Sequence, residues 1–158
     1  MEKYKSSRGW RNNNPLNIRR GDQWTGLRAE QTDREFCQFL TMAFGYRAAA
    51  KCLKSYYRYF RQRGIPWAVG GIIRRWCPDE TAPAYVDRVL RLMGREPLDF
   101  LLADVNTKPG RLQLATMVAA MTCVECGCPP SAVPVGSLNT GFVLAGYGDP
   151  QLTGDWWK

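Results

Sequence analysis

The run Asn12-Asn13-Asn14-Pro15 constrains this chain more than any other stretch. A proline ring forces the residue before it toward extended geometry, and asparagine amides compete for nearby backbone groups. Residues 8–19 therefore cannot be a continuous helix and must form a shaped loop. The next elements are ordered around that loop: Trp24-Thr25-Gly26, then Phe36-Cys37-Gln38-Phe39, then Gly45-Tyr46-Arg47-Ala48-Ala49.

Gly21-Asp22 and Gly26 are turn signals, so residues 18–20 and 23–28 read as two arms of a hairpin, with residues 35–40 as a third short strand. From Thr41 to Gln62 the period becomes helical: Phe44, Ala48, Ala49, Cys52, Leu53, Tyr56 and Phe60 share one face, and Gly64 ends it. Pro66 opens a shorter helix that runs through Trp76 and stops at Pro78. Residues 79–83 form the entrance of another, closed by Gly94. Glu96-Pro97 begins a short helix, residues 105–110 read as a linker, and Leu112 to Cys126 is apolar on most sides, as a buried helix is. Residues 135–147 form a last helix. Residues 1–7 read as a mobile tail, and Trp156-Trp157 as a terminus docked back on the body.

With 158 residues the chain suffices for one domain with its own core, and 45% apolar against 23% charged residues is a globular composition. The expected organisation is a main region over residues 1–107 and a helical extension over residues 108–158 packed on it. No apolar run is long enough to span a bilayer, and no signal-peptide pattern follows the charged start. The net charge of +8 points to anionic partners without choosing among nucleic acid, membrane and acidic wall polymer.

Histidine is absent, which excludes histidine triads, histidine general bases and most zinc hydrolase sites. A hydrolase built from this chain must use carboxylates, of which there are fourteen. The six cysteines read as reduced thiols. Cys37, Cys52 and Cys77 belong to apolar surroundings. Cys123, Cys126 and Cys128 lack the second ligand pair of a metal site and read as a helix end. No cofactor or metal is expected.

Set in order as Asn-Pro-x-Asn-Ile-Arg, Trp-x-Gly, Phe-x-x-Phe, Gly-x-Arg-Ala and Arg75-Trp76-x-Pro78 with Tyr85 beyond, residues 8–94 resemble a family of phage and prophage cell-wall lytic proteins. They resemble more distantly the flagellar-type glucosaminidases of the lysozyme-like superfamily. The resemblance implies a mainly helical lysozyme-like domain with a small β-lobe (α+β). It implies cleavage of peptidoglycan glycan strands as a muramidase, glucosaminidase or lytic transglycosylase. The setting it implies is phage lysis or wall penetration. Without an export signal the wall would be reached through a pore, with a virion or after lysis, and a monomer is expected.

Such cleavage needs a carboxylic acid kept protonated by its surroundings. In the resembled glucosaminidases the principal glutamate ends a helix upstream of the asparagine segment, where this chain offers only Glu2. The next candidate is Glu30, with Asp33 or Glu35 as partner; Asp79 and Glu80, in the turn after Trp76, come after it. Trp10, Asn13, Asn14, Asn17, Trp24, Arg47, Trp76 and Tyr85 are the candidate substrate-binding residues. Each has a plainer reading: surface carboxylate, loop-holding amide, or core aromatic. Two other functions stay open: a wall-binding domain without cleavage, and nucleic-acid binding by the basic, aromatic residues 56–61, for which a helix core with a basic surface is the more economical account.

Overall fold

A computed structural model describes residues 2–94 and 100–158. The chain is mainly helical. A 3-10 turn (Lys3–Ser6) leads into a single helical turn, α1 (Arg8–Arg11), and after the long loop come α2 (Met42–Gln62), α3 (Val69–Trp76), α4 (Ala82–Leu92), α5 (Lys108–Cys126) and α6 (Val135–Leu144).

The helix boundaries follow local chemistry. Thr41 caps α2 by accepting from the Phe44 N–H at 3.3 Å, and Gly64 leaves its end at φ +65°. Thr107 caps α5 by accepting from the Gly110 N–H at 3.1 Å, with Pro109 in the first turn where a missing N–H costs nothing. The helix therefore starts inside the linker expected over 105–110. Helix α3 starts at Val69 rather than Pro66, because Ala68 bridges to Leu101 and the Trp67 carbonyl accepts from the Leu102 N–H at 2.9 Å. The short helix expected from Glu96-Pro97 begins outside the described residues, and Leu101 is in extended pairing. Residues 2–7 are not a loose tail, since Tyr4 packs edge-on against Trp10 at 4.9 Å between centroids.

Helix α5 is central. Leu114, Ala115 and the run Met117 to Met121 are fully buried, as an all-round apolar helix must be. Its one buried hydroxyl, Thr122, is satisfied by Tyr46 of α2 at 2.9 Å and by the Val118 carbonyl at 2.9 Å. Helix α6 lies along α2, and their backbones meet at Gly141, where a β-carbon would strike Tyr46 and the Ala43 carbonyl. One core cluster runs from Leu16 to Leu152, so residues on both sides of 107/108 share it.

The expected β-lobe is not built as a sheet. Among the described residues the N-terminal region has two isolated antiparallel bridges, Arg19 with Phe36 and Leu27 with Phe39. Both arms thus pair with residues 36–39 instead of with each other. Side-chain amides replace the ladder: Asn14 donates to the Ile18 and Cys37 carbonyls at 2.9 and 3.0 Å, and Gln38 accepts from the Thr32 N–H at 2.6 Å. Among the described residues no helix is long and apolar enough to cross a membrane.

Candidate active site

The asparagine loop is held by its own geometry. Asn13 and Asn17 adopt φ +50° and +52°, left-handed values that asparagine tolerates better than most residues. Gly45 of α2 lies directly on the Asn13 carbonyl, where a β-carbon would collide, which accounts for the glycine of Gly-x-Arg-Ala. Gly9 of α1 meets the Cys126 sulfur at the end of α5, and the Cys126 thiol donates to the Pro15 carbonyl at 3.4 Å. These close approaches fasten the loop to the last turn of α5.

That turn carries Glu125, the only acid of α5. Asn17 Nδ2 donates to Glu125 Oε1 at 2.9 Å and the Tyr85 hydroxyl to Oε2 at 2.9 Å, and the nearby Trp76 indole N–H also favours the charged carboxyl. All three donors are neutral. Burial raises the Glu125 pKa above the ordinary carboxylate value, and the hydrogen bonds only partly oppose it. The negative end of the helix dipole acts in the same direction as burial. Tyr85 is itself held well above the usual phenol value by burial and by the facing carboxylate, so it stays a donor.

Glu125 opens into a cleft of about 210 Å³ lined by Leu16, Asn17, Arg19, Phe36, Trp76, Cys77, Pro78 and Asp79. Asp79 is the cleft's second carboxylate. Its Oδ1 accepts from the Thr81 hydroxyl at 2.6 Å and the Thr81 N–H at 2.8 Å, which hold it below the ordinary value. The cleft therefore pairs a carboxyl whose pKa is raised with one whose pKa is lowered. A second cleft of about 200 Å³, lined by Asn17, Ile18, Arg19, Cys52, Tyr56 and Trp76, shares three residues with the first.

Of the residues singled out from sequence, Asn17, Trp76 and Tyr85 meet at Glu125, and Asp79 lines the same cleft. The others lie elsewhere. Glu30 is exposed in the loop after Arg28 and is not in this cleft. Glu35 is exposed and paired with Arg8 at 3.1 Å and Arg19 at 3.4 Å. Asp33 receives both arms of the Arg8 guanidinium at 2.7 Å, which drive its pKa far below the usual range. Glu80 is exposed, and Glu2 pairs with Lys5 at 2.9 Å on the surface. Asn14 is fully buried, and Asn13 donates to the Phe39 and Leu40 carbonyls at 3.2 Å, so both hold the loop. Trp10 packs on Tyr4. Trp24 lines a separate polar groove of about 840 Å³ with Arg20, Arg28 and Arg34. Arg47 is half-buried on α2, its backbone N against Gly141 of α6.

Sequence reasoning passed over Glu125 by reading Cys123-Val124-Glu125-Cys126 as a helix end with thiols. The available signal was a lone carboxylate ending an otherwise apolar helix. The thiols themselves are buried, and burial pushes Cys126 up to about 12. Among the described residues no three His, Cys, Asp or Glu side chains are grouped as a metal ion requires.

No protein-family model matches the chain. It is similar to Protein P5 of Pseudoalteromonas phage PM2, with 40% identity over 79 residues, 48% of this chain and 47% of P5. The match thus spans about half of either chain.

Proposed function

We propose that the protein cleaves peptidoglycan glycan strands with Glu125 as the general acid. The observation that carries this reading is the Glu125 carboxyl itself, desolvated at a helix end, held by neutral donors and opening into a cleft. A carboxylic acid that keeps its proton can deliver it to the glycosidic oxygen as the bond to the anomeric carbon breaks. The ionised Asp79 across the same lining favours the positive charge that develops on the sugar ring. Glu125, now a carboxylate, then takes the proton of the incoming nucleophile. In a hydrolase that nucleophile is water; in a transglycosylase it is the sugar's own 6-hydroxyl. Asn17 and Tyr85 hold the carboxyl, and Trp76 offers an apolar wall to a sugar ring.

Further support comes from the lysozyme-like resemblance. Glu125 ends a helix against the asparagine loop, the setting that the resembled glucosaminidases give their principal glutamate. Here that helix comes after the loop in the chain instead of preceding it. Similarity to a phage protein over half the chain agrees with a role in phage lysis or wall penetration.

The test is digestion of purified peptidoglycan by the wild type, Glu125→Gln and Glu30→Gln, with mass spectrometry of the released muropeptides. Release by the wild type and Glu30→Gln, lost in Glu125→Gln, is the expected result. Anhydro ends identify a transglycosylase, reducing ends a hydrolase. Sedimentation of the wild type with the wall without any release would mean a domain that binds and does not cut.

A further inference from the structure

The positive charge of this protein is not spread evenly. Residues 36–78 contain eight Lys and Arg and no Asp or Glu, which matches the net charge of +8 of the entire chain. The ion pairs among the described residues use Lys5, Arg8, Arg19, Arg91 and Lys158, none of them from that segment. A basic surface without acids is ordinarily a set of waving side chains.

Four of these side chains lie over tyrosine rings, Lys54 over Tyr147, Arg61 over Tyr57, and Arg63 and Arg75 over a shared one. The Arg63 and Arg75 guanidiniums each lie 3.9 Å from the centre of the Tyr59 ring, and Arg75 also lies 5.0 Å from Tyr56. Tyr56 in turn meets Trp76 edge-on at 6.0 Å between centroids. Trp76 lines both the Glu125 cleft and the adjoining one that Tyr56 helps to form. The row Arg63, Tyr59, Arg75, Tyr56 thus leads to the wall of the cleft, with exposed cations at its far end.

We propose that Arg63 and Arg75 bind the carboxylates of the peptide stems carried by the glycan strand, registering the strand along α2 and α3 as its sugars enter the Glu125 cleft. This rests on the cell-wall reading above. A guanidinium presents a planar fork that matches a carboxylate, and stacking on a ring orients that fork before the ligand arrives. Nucleic-acid binding fits less well. Single strands need open aromatic faces for their bases, and here two guanidiniums occupy the Tyr59 ring.

The experiment uses the full chain carrying Glu125→Gln, so that binding is read without cutting. Its sedimentation is measured with stem-bearing sacculi and with the same glycan stripped of stems by an amidase. Arg63→Gln with Arg75→Gln is expected to weaken binding to stem-bearing glycan about tenfold and leave stripped glycan unchanged. Free tetrapeptide stem should displace the protein with unsubstituted arginines, and its amidated form should not, a comparison that needs no arginine variant to fold. Equal loss on both glycans, no loss on either, or tighter binding to duplex DNA that depends on these arginines overturns the proposal. Muropeptide release by the wild type, assayed in parallel, separates the two readings: no release with stem-dependent binding intact removes the cleavage and upholds the docking.

Discussion

Asp33 and Glu125 are both held by the asparagine loop, Asn12 Nδ2 donating to Asp33 and Asn17 Nδ2 to Glu125, each at 2.9 Å. Their protons nevertheless go opposite ways. Asp33 adds a two-armed guanidinium and the backbone N–H groups of Glu35 and Phe36, at 2.9 and 3.0 Å, so its charge is fully compensated. Glu125 receives only neutral donors and sits at the negative end of a helix, where a bare charge costs most. The charge and direction of the donors, more than their number, decide which carboxyl has its pKa lowered and which has it raised.

The sharpest way to break this contrast is to replace each acid by its amide. Glu125→Gln should lower muropeptide release by about 10²- to 10⁴-fold, the span usual for a lost general acid, with its thermal midpoint no lower than the wild type's. Asp33→Asn should act instead on the fold, costing roughly 1–3 kcal/mol in urea unfolding at neutral pH because the Arg8 fork and two N–H groups lose their charged partner. Digestion by that variant, measured where it is still folded, should stay near the wild-type rate.

The two acids should also give opposite pH signatures in thermal unfolding. Asp33 has a depressed pKa, so its stabilisation is present above the ordinary value of 3.8 and is lost as the pH falls through the native value. The gap between wild type and Asp33→Asn should close in acid. Glu125 has a raised pKa, so ionisation penalises the folded state once the pH exceeds the ordinary value of 4.5. Glu125→Gln should equal the wild type at low pH and become the more stable of the two as the pH rises through the native value.

Smaller effects sharpen the picture. Tyr85→Phe removes a donor that favours the Glu125 carboxylate, so the alkaline limb of the digestion profile should move to higher pH. A limb that moves down, or stays, would mean that the hydroxyl does not set this proton. Glu30→Gln should stay within about twofold of wild type in both release and stability, as an exposed surface change does.

Much of this arrangement is written locally. The cap at Thr41, the stop at Gly64 and the apolar face between them specify α2 from neighbouring residues alone. The asparagine–proline run announces its loop, and Asn17, Trp76, Asp79 and Tyr85 could be picked out as residues of the cleft. The hairpin was misread because pattern alone does not reveal that Asn14, Gln31 and Gln38 would take the backbone groups a ladder needs. Glu125 escaped for a different reason, since its partner Asn17 is 108 residues away in the chain.

The sequence by itself determined the long helix α2, the asparagine loop and the lack of histidine, because caps, periods and composition act over a few residues. Only the tertiary structure decided which carboxyl has its pKa raised. That choice depends on desolvation and on the charge of facing donors, and the donors to Glu125 come from the asparagine loop, the end of α3 and α4.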